Sequence, residues 1–178
     1  LYYLQTGQLW IWSYPGEGFN FDDPRIIDVL FSYRKGLFVY TPLLLLSVIG
    51  LIPLFKRNIL RGINALLFLG ILTFFIASWW NWFYGDSFGM RPYIDYYTLF
   101  IILLAYLFSS VGKTIRTYVL IPILFLVIIF NLIQSYQYHH GIIHHDAMSK
   151  EKYWYVFLKT GAEYENILGD TQEALFKE

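Results

Sequence analysis

Arg91 is the residue on which ligand chemistry would turn. It lies in WWNWFYGDSFGMRPYIDYY, Trp79 to Tyr97, after three tryptophans and a turn with two glycines, and beside Pro92 at the start of an apolar run. A helix start carries partial positive charge and unpaired N–H groups, so it disfavours a neighbouring cation by about 0.3 to 1 kcal/mol and attracts an anion. Arg34 and Lys35 repeat the arrangement just before Gly36 and a second apolar run. A phosphate at that depth would accept charge-assisted bonds from Arg91 and Lys35 together with the N–H groups of the GDSFG turn. The plainer reading is that Arg91 snorkels to lipid headgroups or pairs with Asp86 or Asp95. On spacing alone that reading carries more weight.

Other groups have chemical potential but weaker geometry. In HHGIIHH, His139 to His145, His140 and His144 are four apart, as two metal ligands on one helical face would be. Gly141 weakens a helix there and no acid or cysteine completes the set, so the expected role is an interfacial turn leading to an N-cap at Asp146 or Ser149. The site residues therefore include no metal ligand. No cofactor is implied, and a divalent ion has no support in these residues. Asp22 and Asp23 form a carboxylate pair, but Asp23 before Pro24 reads as a helix N-cap and Asp22 as a solvated neighbour. Glu17, in PGEGF, sits in a turn with no partner readable from the sequence. No nucleophile triad, phosphate-binding loop or dinucleotide fingerprint is present.

The elements that must position these residues are membrane helices. Of 178 residues, 57% are hydrophobic, 21% aromatic and only 15% charged, which marks a membrane chain. The net charge of zero gives no basic surplus for nucleic acid. There are no cysteines, which excludes disulfides and thiolate sites. Four apolar runs, residues 37–55, 62–80, 93–111 and 118–135, each have 18 or 19 residues. At 1.5 Å per residue each reaches about 27 to 28 Å, close to the hydrocarbon thickness of a bilayer. The expected fold is all-α integral membrane, with an external loop at 1–36, a four-helix region at 37–135 and an external, partly helical tail at 136–178. The runs are almost uncharged at their centres, which counts against a transport pathway.

Lys56, Arg57 and Arg61 crowd one short connector and Lys113 and Arg116 another, with no acid in either. The positive-inside rule makes those connectors cytoplasmic and places 1–36, 81–92 and 136–178 outside. The rings of the Trp79 loop then form an interfacial belt. FDDPRIIDVLF reads as a short helix presenting Ile26, Ile27, Leu30 and Phe31 on one face, to lie along a membrane surface or against the bundle. Residues 149–160, with Tyr153, Trp154, Phe157 and Leu158, read as a second.

The stretch WWNWFYGDSFGMRPYIDYYTLF resembles the late-loop pattern of bacterial polytopic GT-C-type glycosyltransferases, the group related to dolichyl-phosphate-mannose protein mannosyltransferases and lipid A aminoarabinose transferases. SYRKGLFVYTPLLLL and QYHHGIIHHDAMSKEKYW look like further segments of such proteins, the latter of Bacteroidetes-type members. The resemblance covers only their later membrane half. It implies an enzyme of the bacterial cytoplasmic membrane that takes a sugar from a polyprenyl-phosphate carrier and adds it to a glycan, lipid or protein acceptor at the outer face. By resemblance Arg91, Lys35, Tyr40, Ser87, Phe88 and Gly89 line the donor-lipid side of the cavity. Trp80, Trp82 and Tyr84 hold the lipid chain or stack on a sugar. The family's catalytic carboxylate lies in a first external loop, expected upstream of Leu1; Asp22 and Asp23 do not match it. A non-enzymatic transporter or scaffold, and a surface-glycan polymerase or ligase, are the alternative expectations.

Overall fold

The structure is a computed structural model that describes Gly7 and residues 16–169. The rest of the expected outer loop and residues 170–178 of the tail lie outside the described residues. Among the described residues the regular secondary structure is all helical, and the one extended contact is an isolated antiparallel bridge between Phe19 and Trp79. In chain order the helices are α1 (Ile26–Phe31), α2 (Leu37–Tyr40), α3 (Pro42–Val48), α4 (Leu51–Arg57), α5 (Ile59–Ser78), α6 (Tyr97–Ser110), α7 (Lys113–Ile115), α8 (Ile121–His139) and α9 (Lys150–Val156). A 3-10 turn at Arg91–Tyr96 leads into α6, and a π turn at Arg116–Leu120 joins α7 to α8.

Three continuous helical stretches are long and apolar enough to cross a membrane: Ile59–Ser78, Arg91–Ser110 and Lys113–His139. They correspond to the second, third and fourth apolar runs. Asn58 starts the first of them, its side chain accepting a bond from the Arg61 N–H at 3.0 Å. In the last, the i to i+5 register of the π turn, with Ile121 N–H bonded to the Arg116 carbonyl, accommodates Pro122, which has no N–H to donate.

The first run, expected as one helix over 37–55, is instead three consecutive short helices. Pro42 excludes helical backbone from the residue before it, and Thr41 sits at φ −135°, ψ 68°. Pro53 removes the N–H that would bond the Ile49 carbonyl, and the chain kinks at Ile49 and Gly50. The break frees carbonyls inside an apolar bundle. Asn131 Nδ2 donates to the Tyr40 carbonyl at 2.6 Å and Gln134 Nε2 to the Val39 carbonyl at 3.5 Å, so α8 supplies what the interrupted helix lacks.

The main core gathers Val29, Leu37, Leu44, Leu51, Leu69, Ile76, Tyr93, Phe100 and Leu103 from α1 to α6. Glycine is required where α4 begins, because a Cβ on Gly50 would lie 1.8 Å from the Leu103 carbonyl oxygen of α6. A second cluster joins Tyr40 to Ile142, Ile143, Met148, Tyr153 and Val156, so the tail has its own core against α2.

The helix ends sort into two sets. Lys56 and Arg57 share a pocket with Tyr106, Ser109 and Ser110, beside the Lys113 and Arg116 connector. At the opposite end, residues 18–25 bind the end of α5: Asn20 N–H to the Ser78 carbonyl at 2.6 Å, Arg25 N–H to Ala77 at 2.9 Å, and Trp80 N–H to Gly18 at 3.0 Å. That anchoring corrects the first surface helix. Asp23 does not cap it but pairs with Arg25 at 3.0 Å, and the helix starts at Ile26. It lies against the bundle, with Val29 fully buried and Ile26 and Leu30 packed partly buried on the main core, whereas Ile27 is 71% exposed. The tail helix begins as expected at Ser149, whose hydroxyl accepts the Lys152 N–H at 3.3 Å.

Candidate functional site

A cavity of about 360 Å³ opens between α3, α6 and α8, beside the break at Thr41. Leu43, Leu44, Ile94, Phe100, Ile101 and Leu104 make its walls apolar. Thr41, Ser47, Asn131, Ser135 and Arg91 supply its polar groups. The Ser47 hydroxyl is spent on its own helix, donating to the Leu43 carbonyl at 2.9 Å. Arg91 is exposed and its guanidinium meets no carboxylate or carbonyl among the described residues. The pairing with Asp86 or Asp95 weighed from spacing is therefore not formed. Asp86 instead lies 3.8 Å from His145 Nε2.

Lys35 has a different setting. Its side chain is buried, and its ammonium donates to the Ser87 carbonyl, to Ser87 Oγ at 3.3 Å and to the His145 carbonyl at 2.5 Å. Burial lowers its pKa to about 8, against the opposing pull of Asp146 and Asp86. Ser87 Oγ in turn donates to the Gly89 carbonyl at 3.2 Å. Gly89 adopts φ +58°, and a Cβ there would press on Tyr40 Cβ at 3.2 Å, so the turn needs glycine twice over. Tyr40 donates its hydroxyl to the Tyr33 carbonyl at 2.6 Å and packs edge-on against Phe88 and Tyr153.

Lys35, Ser87, Gly89, Tyr40 and Phe88 thus form one contiguous group, and Phe88 and Arg91 line the cavity together. Trp80, Trp82 and Tyr84 do not line it. Trp80 is half exposed, Trp82 packs on the main core, and Tyr84, at φ 55°, donates its hydroxyl to the Ile76 carbonyl at 3.2 Å. Burial pushes the Tyr84 phenol up to about 12.

The histidine string is a folded turn. α8 ends at His139, Gly141 takes φ +66°, and His140 and His144 do not share a helical face. His140 Nδ1 lies 2.9 Å from Glu165. His144 Nδ1 accepts the N–H groups of Asp146 at 3.0 Å and Ala147 at 2.9 Å, which requires that nitrogen unprotonated. Among the described residues no three His, Asp or Glu groups gather as metal ligands.

The pairing of Asp146, expected only as a possible N-cap, and the places of Asn131 and Ser135 went unnoticed in the sequence. Asp146 takes Arg34 in a two-oxygen pair at 3.0 Å, and Asn131 and Ser135 line the cavity. Asn131, Gln134 and Gln137 recur every third residue in an otherwise apolar helix, and that polar stripe was the readable signal. The chain was compared with protein-family models, curated proteins and solved structures. None of them matches. The site is therefore interpreted from its own geometry and chemistry.

Proposed function

We propose that this chain is the later membrane part of a glycosyltransferase that uses a polyprenyl-phosphate-linked sugar as donor at the outer face of the bacterial cytoplasmic membrane. One observation carries the proposal: Arg91, with no side-chain partner among the described residues, lines an apolar-walled cavity between helices. An amphiphile with an anionic headgroup fits that combination, because arginine offers two parallel donors to a phosphate while the walls take hydrocarbon. Arg91 would bind the carrier phosphate and stabilise the charge that grows on it as the sugar departs. Phe88, also in the lining, would exclude water. In this reading residues 37–57 cross the membrane as a fourth, kinked span. The basic connectors face the cytoplasm, and the Trp79 loop and tail face outward.

The expected result is that Arg91→Ala in the complete protein lowers transfer from a defined polyprenyl-phosphate sugar about a hundredfold or more, while insertion into the membrane is unchanged. Transfer at the parental rate would remove Arg91 from the mechanism. A second reading, a transporter, is favoured by the interrupted helix 37–57 and the amide of Asn131 beside it. Solute uptake into proteoliposomes without any transfer product would select it.

A further inference from the structure

We infer that Arg34 and Lys35 are positioning residues: the two adjacent cations clasp the tail to the Trp79 loop and so hold Phe88 and Arg91 at the cavity. The inference rests on the proposed role of Arg91 as the phosphate-binding residue. Lys35 is 1% exposed, and a lysine ammonium has three N–H groups. Ser87 O, Ser87 Oγ and His145 O take all three, which leaves none for a ligand. Arg34 bridges the same two segments. Its Nε donates to the Asp146 carbonyl at 3.1 Å and its Nη2 to both carboxylate oxygens at 3.0 Å, while its guanidinium covers the Phe83 ring at 3.4 Å. Burying a lysine is costly unless its donors are satisfied, and here satisfaction requires the loop and the tail at once. Phe88 follows Ser87 directly and Arg91 is four residues on, so the tie at Ser87 sets where both sit.

The test uses the 178-residue chain in lipid nanodiscs. Asp86→Cys and Lys150→Cys, both at exposed positions in a chain without cysteine, carry spin labels for a pulsed electron-resonance distance measurement. Affinity for farnesyl phosphate is measured alongside. The parent should give one narrow distance distribution. In Lys35→Met and Arg34→Gln the distribution should broaden and the affinity should fall about tenfold, with helix content retained. Should Lys35→Met fail to fold, Arg34→Gln, at a partly exposed position, decides. Lost affinity in Lys35→Met with the distribution still narrow would make Lys35 a direct ligand and overturn the clasp, as would a narrow distribution with parental affinity in both variants. Arg91→Ala separates the two readings. It should abolish binding without broadening the distribution, and parental affinity there would defeat the phosphate reading while broadened distances in the clasp variants still upheld the tie.

Discussion

At the scale of single residues, Lys35 and Arg91 show one charge type in two settings. Both precede a helix on the same side of the bundle, and their neighbourhoods in the sequence look alike. Lys35 is enclosed by carbonyls from two distant segments, whereas Arg91 keeps its guanidinium for the cavity. Enclosure has a measurable consequence. The Lys35 pKa falls from 10.5 to about 8, so between those values the unfolded chain binds more protons than the folded one. Stability therefore rises with pH across that window. Thermal unfolding in detergent from pH 8 to 10.5 should show the parent gaining stability relative to Lys35→Met. A difference that stays flat, or shrinks, would mean that the lysine is not buried. Nothing in the local sequence distinguished the two cations, because the acceptors of Lys35 lie 52 and 110 residues away.

At the scale of elements, the break at Thr41 and Pro42 organises the region. It ends α2, turns the Tyr40 carbonyl toward α8 and leaves room for the cavity beside α3. A carbonyl buried in an apolar bundle without a donor costs about 1 to 3 kcal/mol. Asn131→Leu removes that donor while keeping the branched shape of the side chain, so it should lower the melting temperature in detergent by a corresponding amount. An unchanged melting temperature would show that the Tyr40 carbonyl finds another donor. The three continuous helices long and apolar enough to cross a membrane were readable from hydropathy alone, since length and composition suffice for a helix that bonds only to itself. The first run was not, because apolar composition outweighed two prolines in the expectation. The capping role given to Asp23 failed for a related reason. The backbone around Arg25 is held by the end of α5, a contact made across more than fifty residues.

At the scale of the whole molecule, the two ends of the bundle differ in kind. One collects Lys56, Arg57, Lys113 and Arg116 at helix ends and short connectors. The other carries the aromatic loop, the tail core and the Lys35 clasp. Sidedness can be checked because the chain has no cysteine of its own. Asp86→Cys should react with an impermeant maleimide on intact cells, and Lys113→Cys only after the membrane is opened. Reaction of Lys113→Cys from outside would reverse the orientation and place the cavity mouth on the cytoplasmic side. How the ends differ was evident from the basic connectors. That the tail would build its own core against α2 was not, because its apolar residues are scattered among polar ones and find their register only on Tyr40.

The last span is held almost entirely from one end. Asn131, Gln134 and Gln137 bond to residues 39, 40, 153, 156 and 159, all beyond the midpoint of Lys113–His139, while Tyr118, Phe125 and Leu126 stand exposed along its other half. Mechanically it is a cantilever. The amide stripe is its fixed end, and that end carries both the bond to the Tyr40 carbonyl and, between Gln134 and Gln137, the Ser135 of the cavity wall. The cavity wall therefore stands on the anchored end of this helix, and any load carried along the exposed half reaches it only through Asn131, Gln134 and Gln137.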